Sequence, residues 1–175
     1  MLQEEFTMPF FKYAALSLLL LLSSQTGPLR AADPEGALHI DVPVQPKDSK
    51  IVLDMDHTEF SGDQPKGLTF MRRLLQSYKA SQVPIHIVAV FHESAAYMVL
   101  NDVAYDKVRN ARRGNPYKDQ IKALQEDGVE FELCANTARG NGWANADLLP
   151  GIKVNSGANL RLIQLLQEGY ISIRP

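Results

Sequence analysis

Apolar residues recur along this chain in two patterns. From Lys50 onward, short runs of β-branched and apolar residues are separated by longer stretches whose apolar positions fall three and four apart. The first pattern reads as strands and the second as amphipathic helices, so their alternation predicts βαβ units on a mostly parallel sheet. Residues 51–56 form the first strand. Leu68, Met71, Leu75 and Tyr78 share one face of a helix over 65–82, and Pro84 marks its end. Residues 85–91 are almost continuously apolar, as in a central parallel strand buried on both faces. A short helix over 93–100 leads into a basic stretch with Lys107, Arg109, Arg112 and Arg113, which reads as a solvated loop. Asn115-Pro116 opens the next helix, with Asn as cap and Pro in the first turn. Tyr117, Ile121 and Leu124 are its buried stripe and Gly128 its stop. A third strand over 129–134, a long connection with a helical turn near Trp143, a short strand over 152–154, a helix over 156–168 and a strand over 170–173 complete the pattern. There is no internal repeat.

The first 32 residues follow a different rule. Lys12 precedes a largely apolar stretch over 13–22, and Ser23, Ser24, Gln25 and Thr26 follow it, in the order of a secretory signal. About twenty apolar residues are needed to span a bilayer as a helix, so this stretch is too short to remain as a membrane span. Cleavage is expected near Ala31 or Ala32, which makes 1–32 a signal peptide and the mature protein periplasmic or otherwise exported. Glu4 and Glu5 are unusual ahead of such a segment, and Met8 is an alternative start. Residues 33–49, with Pro34, Pro43 and Pro46, read as an irregular arm, and 50–175 as the α/β domain.

Composition narrows the chemistry. The chain carries 18 Lys and Arg against 20 Asp and Glu, a net charge of −2, with no basic block, which argues against nucleic-acid binding. A single cysteine, Cys134, excludes an intrachain disulfide and a cysteine-based zinc site. No phosphate-binding glycine loop, paired-histidine metal motif or nucleophile elbow is present, so neither cofactor nor metal is expected.

Ligands of open parallel sheets gather at the carboxyl ends of strands. There the sequence places Asp54, Asp56 and His57 after the first strand, His92 after the second and Cys134 at the end of the third. If these strands are neighbours, an acid, an imidazole and a thiol converge. Strand alternation puts Val129, Phe131 and Leu133 on one face and Glu130, Glu132 and Cys134 on the other. The thiol is therefore expected on a polar face, away from the apolar core, with its pKa raised by two glutamates. A carboxylate-bearing strand face also suggests a surface that the chain's own helices leave open, available to another subunit. Blander roles remain beside these: Cys134 as packing, His92 as a helix cap, His86 as a satisfied buried side chain, His57 as a loop residue, and Asp54 and Asp56 as capping groups.

Val90-Phe91-His92, Asn115-Pro116, 128–131 leading to Cys134-Ala135-Asn136-Thr137, the run 147–154 and the close 166–175 together resemble the DsrE/DsrF-like (YchN-like) family, in particular its exported members. The resemblance implies a Rossmann-like three-layer α/β sandwich with about five mostly parallel strands, assembled as a homotrimer or homohexamer. It also implies a link to sulfur chemistry, in which some relatives carry sulfane sulfur as a cysteine persulfide and exchange it with donor or acceptor proteins. Cytoplasmic relay members place the working cysteine after the second strand, where this chain reads Phe91-His92-Glu93-Ser94-Ala95-Ala96; its sole thiol matches the cysteine after the third strand. The site so expected has Cys134 and His92 as catalytic residues and Asp56, Asn136 and Thr137 as substrate-binding ones. The alternative is a non-enzymatic oligomeric module that binds a small ligand or a protein.

Overall fold

A computed structural model of the chain describes residues 38–175. The expected signal peptide and the start of the arm lie outside the described residues. Residues 38–48 carry neither helix nor strand, and β1 (Ser49–Met55) then enters the sheet. A two-residue hairpin, β2 (Phe60–Ser61) with β3 (Gln64–Pro65), turns the chain into α1 (Lys66–Ala80), and β4 (Ile85–Phe91) follows. A 3-10 helix (Glu93–Val99), α2 (Asp102–Arg109) and α3 (Lys118–Glu126) lead to β5 (Glu130–Cys134). The chain continues through α4 (Ala135–Asn141), a second 3-10 turn (Asn145–Asp147), β6 (Lys153–Asn155), α5 (Ala158–Gln167) and β7 (Ile171–Ile173). Gly128 and Gly169, at φ of 91° and 87°, supply the left-handed residues that end α3 and α5 as the sequence predicts.

The main sheet has five strands in the order β6-β5-β4-β1-β7, every adjacent pair parallel. The chain steps from β1 outward to β6, then jumps back across the sheet to β7. Parallel crossovers are right-handed, so this reversal puts α5 on the face opposite the earlier helices. One face of the sheet carries Leu53, Met55, Ile87, Phe91, Phe131 and Leu133 against Leu68 and Met71 of α1, Met98 of the 3-10 helix and Ile121 of α3. The other carries Val52, Val88, Val90 and Cys134 against Ala158 and Leu165 of α5 and Tyr170. The three-layer α/β architecture with a parallel five-stranded sheet is thus as the sequence predicts.

Several local expectations are corrected. The first part of the basic stretch, through Arg109, is a helix, because Asn101 Oδ1 accepts from Ala104 N at 2.9 Å and caps α2, whereas Arg112 and Arg113 lie beyond it in exposed irregular chain as expected. The last turn of α2 holds Lys107 and Arg109, where cations suit the helix dipole, and the Arg109 guanidinium lies over the Tyr97 ring at 4.4 Å. The Glu130, Glu132 and Cys134 face is not open: α5 covers it. Glu132 is only 4% exposed, with Arg161 Nε donating to both carboxylate oxygens at 3.0 and 3.1 Å and Asn155 Nδ2 donating at 3.0 Å. Cys134 correspondingly packs in the second apolar cluster and not apart from apolar neighbours. His86 is satisfied but not buried, because it sits at the start of β4: the Tyr170 hydroxyl is 2.6 Å from Nδ1, Nε2 is 3.2 Å from Glu130, and the side chain is 46% exposed.

Asn115 does more than open a helix, and α3 itself begins three residues later. It is buried; its Nδ2 donates to the carbonyls of Met98 and Leu100 at 2.7 and 2.6 Å, and its Oδ1 accepts from Tyr117 N at 2.8 Å. One amide therefore ties the 3-10 helix, the entry to α2 and the entry to α3 together. Asn115→Ala leaves two carbonyls and one N–H without this partner, and urea denaturation is expected to read a loss of roughly 2–4 kcal/mol. Asn115→Asp, equal in size but unable to donate when ionised, is expected to lose a similar amount; a loss below about 0.5 kcal/mol in both would refute the role.

Candidate functional site

Strand register sets the site. Phe91 of β4 pairs with Leu133 of β5, so His92 and Cys134 occupy the next positions at adjacent strand ends. Cys134 in turn pairs with Asn155 of β6, after which the chain turns into α5. The result is a cavity of about 590 Å³ at the carboxyl edge of the sheet, lined by His92, Cys134, Asn136, Thr137, Gly157 and Asn159 among others. It lies where the chain reverses direction, the place at which doubly wound sheets leave a crevice.

Two helices begin beside the thiol. Cys134 occupies the N-cap position of α4, and Ala158, the first residue of α5, donates its N–H to Sγ at 3.3 Å. No side chain caps α5, so the Ala158 N–H is free for the thiol. Burial pushes the Cys134 thiol up, but the backbone N–H groups of Thr137, Ala158 and Asn136, with the Thr137 hydroxyl, outweigh it and draw the thiol below its ordinary value. The expected upward shift from Glu130 and Glu132 is therefore corrected: the neighbouring carboxylate, Glu132, is committed to Arg161 and Asn155, and N–H donors dominate at the sulfur.

The cavity wall is held by its own polar contacts. Thr137 Oγ1 accepts from Glu93 N at 3.2 Å, joining the start of α4 to the end of β4, and Asn136 Oδ1 accepts from Arg139 Nη1 at 2.8 Å. His92 N donates to Met55 O at 3.0 Å, and His92 Nε2 lies 2.7 Å from Asp54 Oδ1.

Of the residues singled out from the sequence, Cys134, His92, Asn136 and Thr137 line this one cavity. Asp56 does not. Its carboxylate is engaged by the His57 ring and by Arg174, whose Nε donates at 3.0 Å, in a charged cluster at the end of β1. The carboxylate that reaches His92 is Asp54, two residues earlier. Parity puts Asp54 on the strand face of Val52, which leads toward Cys134, but Asp56 has the same parity and the sequence does not separate the two. Gly157, Ala158 and Asn159 also escaped notice as site residues. Their signal was a helix start directly after a strand, without a capping side chain. Among the described residues no group of three or more His, Cys, Asp or Glu is arranged to hold a metal ion.

Against known proteins, no curated protein matches the chain. Among solved structures, the chain is similar to MTH1491 from Methanobacterium thermoautotrophicum, a protein of unknown function, at 22% identity and a TM-score of 0.54, covering 74% of this chain and 100% of that one. It also matches the ychN protein from E. coli at 15% identity and a TM-score of 0.46, covering 73% of this chain and 97% of that one. The first likeness concerns the fold. Residues 47–175 match the DsrE/DsrF-like family over the whole of the sheet and the cavity, and the chain belongs to that family.

Proposed function

We propose that this chain is an exported sulfur carrier in which Cys134 accepts sulfane sulfur as a persulfide and passes it to an acceptor protein. The observation that carries the reading is the thiol itself: a lone cysteine in a 590 Å³ cavity, with N–H donors drawing its pKa down against the effect of burial. The Cys134 thiolate attacks the outer sulfur of a persulfide donor, R–S–SH. A new S–S bond forms, the donor's S–S bond breaks, and R–S⁻ leaves with the electron pair and takes a proton from protonated His92. No external oxidant is needed, because sulfane sulfur moves between thiols at constant oxidation level. Asn136 and Thr137 offer polar contacts to the bound donor at the cavity wall. The proposed export rests on the N-terminal pattern of the sequence.

A homotrimer or homohexamer is proposed alongside. α5 is the helix that covers the second face of the sheet, and it exposes Leu160, Ile163 and Leu166 at helical spacing. A second copy is the occupant proposed for this stripe. Leu160 also lines the cavity, so a neighbouring subunit on α5 would border the site. The burial of Cys134, 5% exposed, favours the second reading, a binding module without catalysis.

Three measurements test these readings. Mature protein incubated with polysulfide is expected to gain about 32 Da by intact mass, lost in Cys134→Ser; absence of the adduct rejects sulfur carriage in favour of the binding module. Alkylation rates followed against pH are expected to rise with a midpoint below about 8.5, the ordinary thiol value, because a lowered pKa keeps the thiolate until the pH falls further. A midpoint at or above that value contradicts the activated thiol. Light scattering is expected to give three or six times the chain mass, with Ile163→Lys shifting the assembly toward smaller species; a monomer at micromolar concentration removes the assembly.

A further inference from the structure

We infer that Asp54 is a positioning residue: it fixes His92 as the Nε2–H tautomer and leaves Nδ1 as the base that serves Cys134. The inference deepens the sulfur-carrier reading and rests on it for the reaction, though not for the geometry.

An ionised carboxylate is acceptor-only, so the 2.7 Å contact between Asp54 Oδ1 and His92 Nε2 requires the proton on Nε2. A neutral imidazole carries one proton, and Nδ1 is then the lone-pair nitrogen. Nδ1 makes no hydrogen bond among the described residues, whereas the residue as a whole lines the cavity that holds Cys134. Asp54 holds the ring at Nε2, and the backbone bond from His92 N to Met55 O fixes the main chain that carries it. Both side chains are largely withdrawn from water, at 12% exposure for His92 and 21% for Asp54. A carboxylate so placed, on the strand face that otherwise presents Val52 and Val90 to α5, costs desolvation unless it has a partner. His92 is that partner, and Arg174 Nε stands 3.9 Å from the other oxygen, Oδ2.

The charged surroundings of the ring are few. β1 brings Asp54, the chain beyond β7 brings Arg174, β5 brings the thiol, and Glu93 follows His92 directly. α4 and α5 present the neutral side chains Asn136, Thr137 and Asn159. His92 and Cys134 share the cavity wall without a direct hydrogen bond between them, so in the inferred reaction the proton of Sγ crosses the cavity to Nδ1 as the thiolate forms. Asp54 stabilises the resulting imidazolium without taking its proton, and the same proton then passes to the departing thiolate.

Asp54→Asn tests the assignment because its amide donates where the carboxylate only accepts. Long-range proton–nitrogen NMR of the mature protein is expected to show neutral His92 protonated at Nε2 in the wild type and at Nδ1 in Asp54→Asn. Protonation at Nδ1 in the wild type overturns the inference whether or not the variant folds, and an unchanged tautomer in the folded variant does so as well. Alkylation of Cys134 is expected to slow about tenfold near pH 7 in Asp54→Asn, with the high-pH plateau unchanged because hydroxide then forms the thiolate without a base. Asp54→Glu, which keeps the carboxylate, is expected to restore part of the neutral-pH rate; equal slowing at all pH values in both variants marks a packing defect and overturns the inference. None of these readouts uses sulfane sulfur. A correct tautomer with no persulfide adduct therefore rejects the sulfur reading alone.

Discussion

The handedness of a parallel crossover is the constraint on which this molecule depends. Every connection from β1 out to β6 can share one face of the sheet, because each steps in the same direction. The return from β6 to β7 steps the other way, so a right-handed path must cross the opposite face. That single reversal makes α5 the cover of the second apolar cluster and starts it at the carboxyl edge, where β5 has just ended in Cys134. The thiol meets the first amide of α5 for a topological reason. A helix on the other face would leave Sγ without that donor and leave the cavity without a wall.

Burying the second face then raises an electrostatic problem that the sequence also answers. Glu132 lies on the same strand face as Cys134, two residues before it. Left unpaired beneath α5, its carboxylate would be costly and would oppose a thiolate nearby. Arg161, one turn into α5, engages both its oxygens, and Asn155 adds a further donor. The ion pair thus anchors the helix whose start caps the sulfur. Anchoring and activation are coupled through one helix, and the register of α5 on the sheet sets both.

How much of this was legible in the sequence follows from the range of each interaction. Strand runs and the α1 and α3 stripes are local periodicities, and they emerged in order with ends displaced by a few residues. α2 was missed because its signal is a cap, Asn101, and not an apolar stripe; Ala104 and Tyr105 are its only buried residues. Strand parity grouped Glu130, Glu132 and Cys134 correctly on one face, but it could not tell whether that face met water or α5. The answer depended on Arg161, twenty-nine residues from Glu132. The same limit explains the acid at His92. Asp54 and Asp56 have the same parity near one strand end, and it takes His57 and Arg174, the latter far along the chain, to engage Asp56 elsewhere.

In the proposed carrier, two devices act on the same sulfur, and they act at different stages. The N–H donors of α4 and α5 favour the thiolate at all times, and they do so without exchanging a proton. A histidine base favours it only while its own free nitrogen is unprotonated, and it retains the proton it removes. The first device suits storage of a reactive sulfur, since it favours negative charge at the cysteine without giving up a proton. The second suits transfer, since the departing group needs that proton back. A residue that merely packed beneath α5 would need neither, whereas the proposed carrier, which must both hold and release sulfur, would need them together at one strand end.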